Sequence, residues 1–250
     1  MKRQAGGVTE DPYGDADLVE LYDARYPDRP DHAWYRALAD ELDARTIVDL
    51  GCGTGSLTRS LARPGRTVTG VDPSRAMLDH ARRQAGGDAV TWILGDASAI
   101  PPSVSADLVV CTGNAIMHVG PDELPGAFTS VARALRRDGV LAFESRDPGR
   151  REWEEWTREA TTVEWTTPLG RLREWVEVTD ARGGRVVFDS HVEFADGQHR
   201  VSTSVLWFRS ADEVERELRA AGFADVVWTG DWQGGPAGDG PVLICRARRS

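Results

Sequence analysis

Between residues 46 and 145 short apolar runs alternate with amphipathic segments, and this alternation leaves few architectures open. Thr46-Ile47-Val48-Asp49-Leu50 is a brief apolar run that stops at glycines, as a strand covered on both faces would. Residues 54–63 then read as helix, 66–72 as strand, 74–85 as helix, 89–94 and 106–111 as strands, 121–137 as helix and 139–144 as strand. Strands and helices interleaved at this spacing predict an α/β fold, a doubly wound parallel sheet with helices on both faces. Ahead of it, residues 15–25 and 31–43 read as two helices, with Leu18, Leu21 and Tyr22 on one face of the first and Trp34, Leu38 and Leu42 on one face of the second. Pro27 and Pro30 separate them.

After residue 145 the period changes. Arg150 to Ala160 reads as a short helix carrying Trp153 and Trp156, and residues 171–208 read as three long strands broken at Arg182-Gly183-Gly184 and Asp196-Gly197. In the middle strand Val186, Phe188, Ser190, Val192 and Phe194 share one face, and Val187, Asp189, His191 and Glu193 the other, so an antiparallel meander with one covered face is expected. Ser210-Ala211-Asp212-Glu213 opens a last helix with a capping box, and residues 224–229 and 241–247 supply two closing strands. Four parts are therefore expected: an N-terminal helical cap (1–44), a ligand-binding core (45–149), an inserted helix and antiparallel lid (150–208) and the C-terminal part of the core (209–250). An insertion at that point is placed to cover the crevice at the sheet's carboxyl edge.

The chemistry concentrates in Val48-Asp49-Leu50-Gly51-Cys52-Gly53-Thr54-Gly55, where the first core strand turns into a helix. Alternate glycines permit positive φ and let the backbone approach a ligand with no Cβ in the way. Dinucleotide enzymes place the third glycine three positions after the second, and here that position holds Ser56. An acid beside the loop, Asp49, suits a cationic amino-acid group and not a pyrophosphate. Asp72, at the end of the next strand, can accept hydrogen bonds from both hydroxyls of a ribose.

This Gly-x-Gly-x-Gly spacing behind Asp49 resembles motif I of the class I S-adenosylmethionine-dependent methyltransferases. Gly70-Val71-Asp72-Pro73-Ser74, Leu94-Gly95-Asp96-Ala97 and Cys111-Thr112-Gly113-Asn114 are similar to three further motifs of that family, and Tyr22-Asp23-Ala24-Arg25-Tyr26 to the helix that closes over the donor in small-molecule members. The resemblance implies a Rossmann-like seven-stranded sheet whose last strand is antiparallel, with S-adenosyl-L-methionine as cofactor and S-adenosyl-L-homocysteine as product. It also implies donor-binding roles for Tyr22, Arg25, Asp49, Gly51, Cys52, Gly53, Asp72, Pro73, Asp96, Ala97, Cys111 and Asn114. Asp96 would accept from the adenine amino group and the Ala97 backbone would touch the ring edge.

A net charge of −10 and the lack of a basic tail disfavour nucleic-acid substrates. No Asn-Pro-Pro-Tyr strand end is present, and Cys111 is not beside proline as a pyrimidine-attacking thiol would be. The expected acceptor is thus a small molecule, methylated on oxygen or nitrogen by in-line displacement, with no nucleic-acid or membrane partner and a monomeric or homodimeric cytoplasmic chain. Of the five histidines, His118 follows the fourth core strand and is the candidate general base; His80 reads as a core neighbour and His191 as facing solvent. Trp153, Trp156, Trp165, Trp175 and Trp207 cluster in or beside the insertion, where packing is the stronger reading and an acceptor pocket the weaker. Arg146, Arg150 and Arg151 could bind an acidic acceptor, but neighbouring glutamates suggest a mixed-charge surface. Three separated cysteines and no second carboxylate cluster imply no metal. Two rivals stand beside this reading. A nicotinamide oxidoreductase would want a proton-relay lysine, and the single lysine is Lys2. A non-catalytic donor-binding regulatory protein would share the same loop.

Overall fold

The computed structural model describes residues 8–9, 13–25, 29–167 and 170–250; Lys2, Tyr26 and Pro27, on which parts of the reading above rest, lie outside them. A short strand β1 (Val8–Thr9) precedes helices α1 (Ala16–Arg25) and α2 (Pro30–Glu41). The alternating region follows as β2 (Thr46–Leu50), α3 (Ser56–Leu61), β3 (Thr67–Asp72), α4 (Arg75–Arg83), β4 (Val90–Leu94), β5 (Ala106–Cys111), α5 (Leu124–Ala134) and β6 (Leu135–Arg146). Next come α6 (Arg158–Thr161), β7 (Val163–Thr167), β8 (Gly170–Arg182), β9 (Arg185–Phe194) and β10 (His199–Trp207), then α7 (Ala211–Ala220), β11 (Phe223–Thr229) and β12 (Val242–Arg249).

Seven strands form one sheet in the order β11-β12-β6-β5-β2-β3-β4, and β12 alone runs antiparallel to its neighbours, as the resemblance implies. The alternation of side chains explains why helices must cover both faces. Val48, Val109, Leu141 and Phe143 point to one side, where α5 brings Phe128 and Val131 and α7 brings Val214 and Leu218. Ile47, Leu108, Val110 and Val140 point to the other, against Tyr35 and Leu38 of α2 and Leu57 and Leu61 of α3. Each of these large apolar side chains contributes about 1.5–3 kcal/mol by leaving water.

The second sheet has the order β1-β10-β9-β8-β7, with β7 to β10 antiparallel and β1 added in parallel at one edge. The meander therefore has one more strand than expected and gains an edge strand from the N-terminal segment. Its inner face meets α1 through Leu21, Leu172 and Val192. Arg25 on α1 bonds Glu174 at 2.8 Å, and Arg200 bonds Asp17 at 3.0 Å, tying the cap to the meander.

Two predicted helices depart most from the structure. The one expected over 121–137 stops at Ala134, because Leu135 already pairs with Ala106 in the sheet and Asp138 adopts φ 61°, which no right-handed helix holds. Arg150 to Ala160 is broken by Arg151 at φ 49° into two 3₁₀ turns before the four residues of α6. Among the described residues no helix is long and apolar enough to cross a membrane.

Candidate active site

The glycine turn is built from the sheet outward. The N–H groups of Gly51 and Cys52 donate to the Val71 carbonyl at 2.8 and 3.1 Å, which pins the turn to the end of β3. The Gly53 N–H donates to Asp72 Oδ2 at 2.7 Å, and the Ser74 N–H donates to Asp72 Oδ1 at 2.8 Å. Turn and carboxylate thus fix each other at the carboxyl end of β3. The glycines have different reasons to be glycine. Gly53, at φ 54°, has nothing within 4 Å of the place a Cβ would occupy, so its bare face opens on the crevice. Gly55, at φ 72°, is covered by the Trp92 ring, which a Cβ there would strike.

Asp49 is wholly buried at the end of β2. Its Oδ2 accepts from Thr58 Oγ1 at 2.6 Å, while Oδ1 has no hydrogen-bond partner among the described residues. Burial pushes its carboxyl up to about 7. Asn114, in the left-handed region at φ 59°, also has a buried Oδ1 with no partner among the described residues. Two orphaned acceptors at adjacent strand ends call for a ligand group made of N–H donors. Cys111 is buried at the end of β5, its thiol pushed up by burial, and Cys52 is buried in the turn. Ala97 is buried after β4, whereas Asp96 and Pro73 are exposed; Asp96 Oδ1 accepts from the N–H and hydroxyl of Ser98 at 2.8 and 2.6 Å, which holds its carboxyl below the usual range.

A cavity of about 650 Å³ lies between this sheet edge, α1 and the meander, and Tyr22, Arg25, Asn114 and His118 line it. Asp49, the glycine turn, Asp72 and Asp96 do not line it. They form a second group, beside which Asp23 of α1 accepts from Thr54 Oγ1 at 2.6 Å and the Tyr13 carbonyl accepts from Ser74 Oγ at 2.9 Å. His118 ends a 3₁₀ turn over Ala115–His118, its Nε2 3.2 Å from the Tyr13 hydroxyl and the two rings edge to face. Loss of solvation lowers its pKa below the ordinary histidine value.

Sequence reasoning missed a polar cluster at the cavity's inner end. Arg29 donates twice to Asp31, at 3.2 and 2.9 Å, and Thr112 Oγ1 donates to Asp31 at 2.9 Å. Glu144 accepts from the Tyr35 hydroxyl and, at 2.8 Å, from the Asn114 N–H, and burial raises its carboxyl to about 7. The one signal for it was the acid Glu144 directly ending the apolar run Val140-Leu141-Ala142-Phe143. His80 is buried as expected, 3.3 Å from Glu20. His191 is on the face opposite Phe188 and Val192 as predicted but not bathed in solvent: it stacks on Trp175 with ring centroids 4.7 Å apart, and both reach the cavity. Trp153 and Trp156 pack on Phe208 and Phe188, and Arg146 and Arg151 pair with Glu152 and Glu154.

A family profile described as "Methyltransferase domain" matches residues 47–139. A cypemycin N-terminal methyltransferase from Streptomyces sp is 30% identical over 199 residues, 78% of this chain and 79% of that protein. The chain belongs to the S-adenosylmethionine-dependent methyltransferases. A trans-aconitate 2-methyltransferase from Azoarcus sp. is 39% identical to this methyltransferase over 104 residues, 41% of this chain and 39% of the relative. A solved sugar N-methyltransferase from Streptoalloteichus sp superposes with a TM-score of 0.76 at 22% identity, covering 100% of this methyltransferase and 99% of that chain, a likeness of fold. Structural neighbours have been solved with S-adenosylmethionine or S-adenosylhomocysteine bound. The residues here fit that cofactor: orphaned acceptors for its ammonium, a carboxylate for its ribose and an open glycine between them.

Proposed function

We propose that this methyltransferase moves a methyl group from S-adenosylmethionine to an oxygen or nitrogen of a small molecule held in the cavity under the meander. The observation that carries this reading is the cavity itself, about 650 Å³, within the range of small-molecule sites and flanked at its inner end by the orphaned Oδ1 of Asn114. When bound, the cofactor supplies a methyl group already activated on a sulfonium. Asp49 and Asn114 take its cationic amino end, Asp72 its ribose hydroxyls, and Asp96 with the Ala97 backbone its adenine. Gly51, Cys52, Gly53, Pro73 and Cys111 shape the crevice, and Tyr22 and Arg25 cover it.

What remains for the chain is to align the acceptor, exclude water and remove a proton where the acceptor bears one. His118 suits the last task, because its lowered pKa keeps the ring neutral at pH 7 and its Nε2 reaches the cavity beside Tyr13. The test is turnover of S-adenosylmethionine to S-adenosylhomocysteine with a metabolite extract. Product release dependent on the extract supports the reading, and binding of both nucleosides without turnover under any extract would replace it with a regulatory role.

A further inference from the structure

The cavity wall contributed by the meander carries an unusual pair of features. Ser190 on β9 and Ser202 and Ser204 on β10 line the cavity, and none of their hydroxyls has a hydrogen-bond partner among the described residues. Ser202 and Ser204 are nevertheless only 8% and 6% exposed. Phe188, Val192 and Leu206 stand beside them on that wall, with Glu174, paired to Arg25, the nearest charge along β8. Each hydroxyl opens on the cavity unbonded by the described residues, so a polar ligand there can bond it in place of water.

The ladder sets the spacing of the three. Ser202 pairs directly with Ser190, and Ser204 lies two residues further along the same strand. Paired Cα atoms stand about 5 Å apart and residues i and i+2 about 7 Å, so the hydroxyls form a triangle on the scale of one substituted saturated ring. Trp165, on the same cavity, adds a buried Nε1–H with no partner among the described residues, a donor where the serines can also accept. Trp156, edge to face with Phe188 at 5.1 Å and with the Arg146 guanidinium 5.4 Å over its ring, offers an aromatic surface beside them.

Charge narrows the class further. The three arginines lining the cavity are each paired: Arg25 with Glu174 at 2.8 Å, Arg29 with Asp31 at 2.9 Å, and Arg146 with Glu152. A carboxylate or phosphate on the acceptor would have to share a guanidinium with the carboxylate already on it. Glu144, held only by neutral donors, leaves the inner end hospitable to a basic nitrogen.

We infer that the acceptor is a neutral or amine-bearing polyhydroxylated ring, its hydroxyls bonded by Ser190, Ser202 and Ser204 and its less polar face laid against Trp156. The inference rests on the methyltransfer reading above, and goes beyond it by naming the acceptor's chemistry.

Ligand-observed NMR on protein saturated with S-adenosylhomocysteine tests it with three probe sets: methyl glycosides and cyclitols with and without an amino group, di- and tricarboxylates, and indole with naphthol. Binding is expected in the first set, and the double variant Ser202→Ala, Ser204→Ala should weaken the best binder about tenfold while S-adenosylhomocysteine affinity stays the same. Both substitutions remove unpaired hydroxyls, so the variant should fold. Binders found only among carboxylates or aromatics, no binder in the first set, or an unchanged affinity in the double variant would each overturn the inference. Failure of S-adenosylhomocysteine itself to bind would instead overturn the methyltransfer reading beneath it.

Discussion

The hydroxyl of Tyr35 on α2 donates to Oε2 of Glu144 at the end of β6, joining two buried side chains across the layer between helix and sheet. Oε1 of the same carboxylate accepts the Asn114 N–H at 2.8 Å. Neutral donors hold this acid, and burial outweighs them, so its carboxyl rises from about 4.5 to about 7.

That shift has a sign. As pH climbs past about 4.5 the unfolded chain loses the Glu144 proton while the folded chain keeps it, so the stabilisation present at low pH is lost as pH rises through about 7. Glu144→Gln should therefore gain in Tm relative to the wild-type protein between pH 5 and pH 8. Thermal melts at the two pH values check this, and a pH-independent difference between the proteins would contradict the raised value.

Asp72 offers a separable test of the donor site. Asp72→Ala should weaken S-adenosylhomocysteine binding by about 1–3 kcal/mol in calorimetry, as loss of hydrogen bonds to a charged acceptor does. The wild-type protein should rise in Tm with S-adenosylhomocysteine and not with NADH. Undiminished nucleoside affinity in the variant would remove Asp72 from the site.

The two glycines of the turn should fail differently. Gly55→Ala forces a Cβ into the Trp92 ring at a positive φ, so a loss of roughly 2–4 kcal/mol in urea unfolding is expected. Gly53→Ala meets open space and carries only the backbone strain, roughly 1 kcal/mol, but should lower S-adenosylhomocysteine affinity more than Gly55→Ala lowers it per unit of lost stability. Equal stability losses would show that Trp92 is free to move aside.

His118→Ala should cut kcat by about 100-fold or more with donor affinity unchanged, provided the acceptor arrives protonated. The acid limb of kcat/KM should fall below the ordinary histidine value, because lost solvation lowers the pKa of this ring. A rate insensitive to both the substitution and pH would assign proton removal elsewhere.

Much of the architecture was legible because neighbouring residues announce opposite faces: Ile47 and Val48 are both apolar, and each serves a different cluster. The donor loop was legible for the same local reason, since Asp49, Gly53 and Asp72 sit at strand ends that the alternation locates. Asp31, Thr112 and Glu144 were not, because they come from three distant stretches and meet only once β5 and β6 lie side by side. Strand β1, two residues long, carries too little period to be read, and β7 (Val-Glu-Trp-Thr-Thr) lacks the apolar run that marks β2 and β4. His191 shows the limit of face assignment: alternation gave its side of the sheet, and the stacking of Trp175 decided how wet that side is.

The serine-bearing strands β9 and β10 belong wholly to the meander and lend no residue to the seven-stranded sheet. Cargo preference and nucleoside grip are therefore written in different stretches of chain. Substitutions at positions 190, 202 and 204 could retarget the enzyme toward new molecules while its reagent half stays as it is, which makes this wall the natural place to begin engineering.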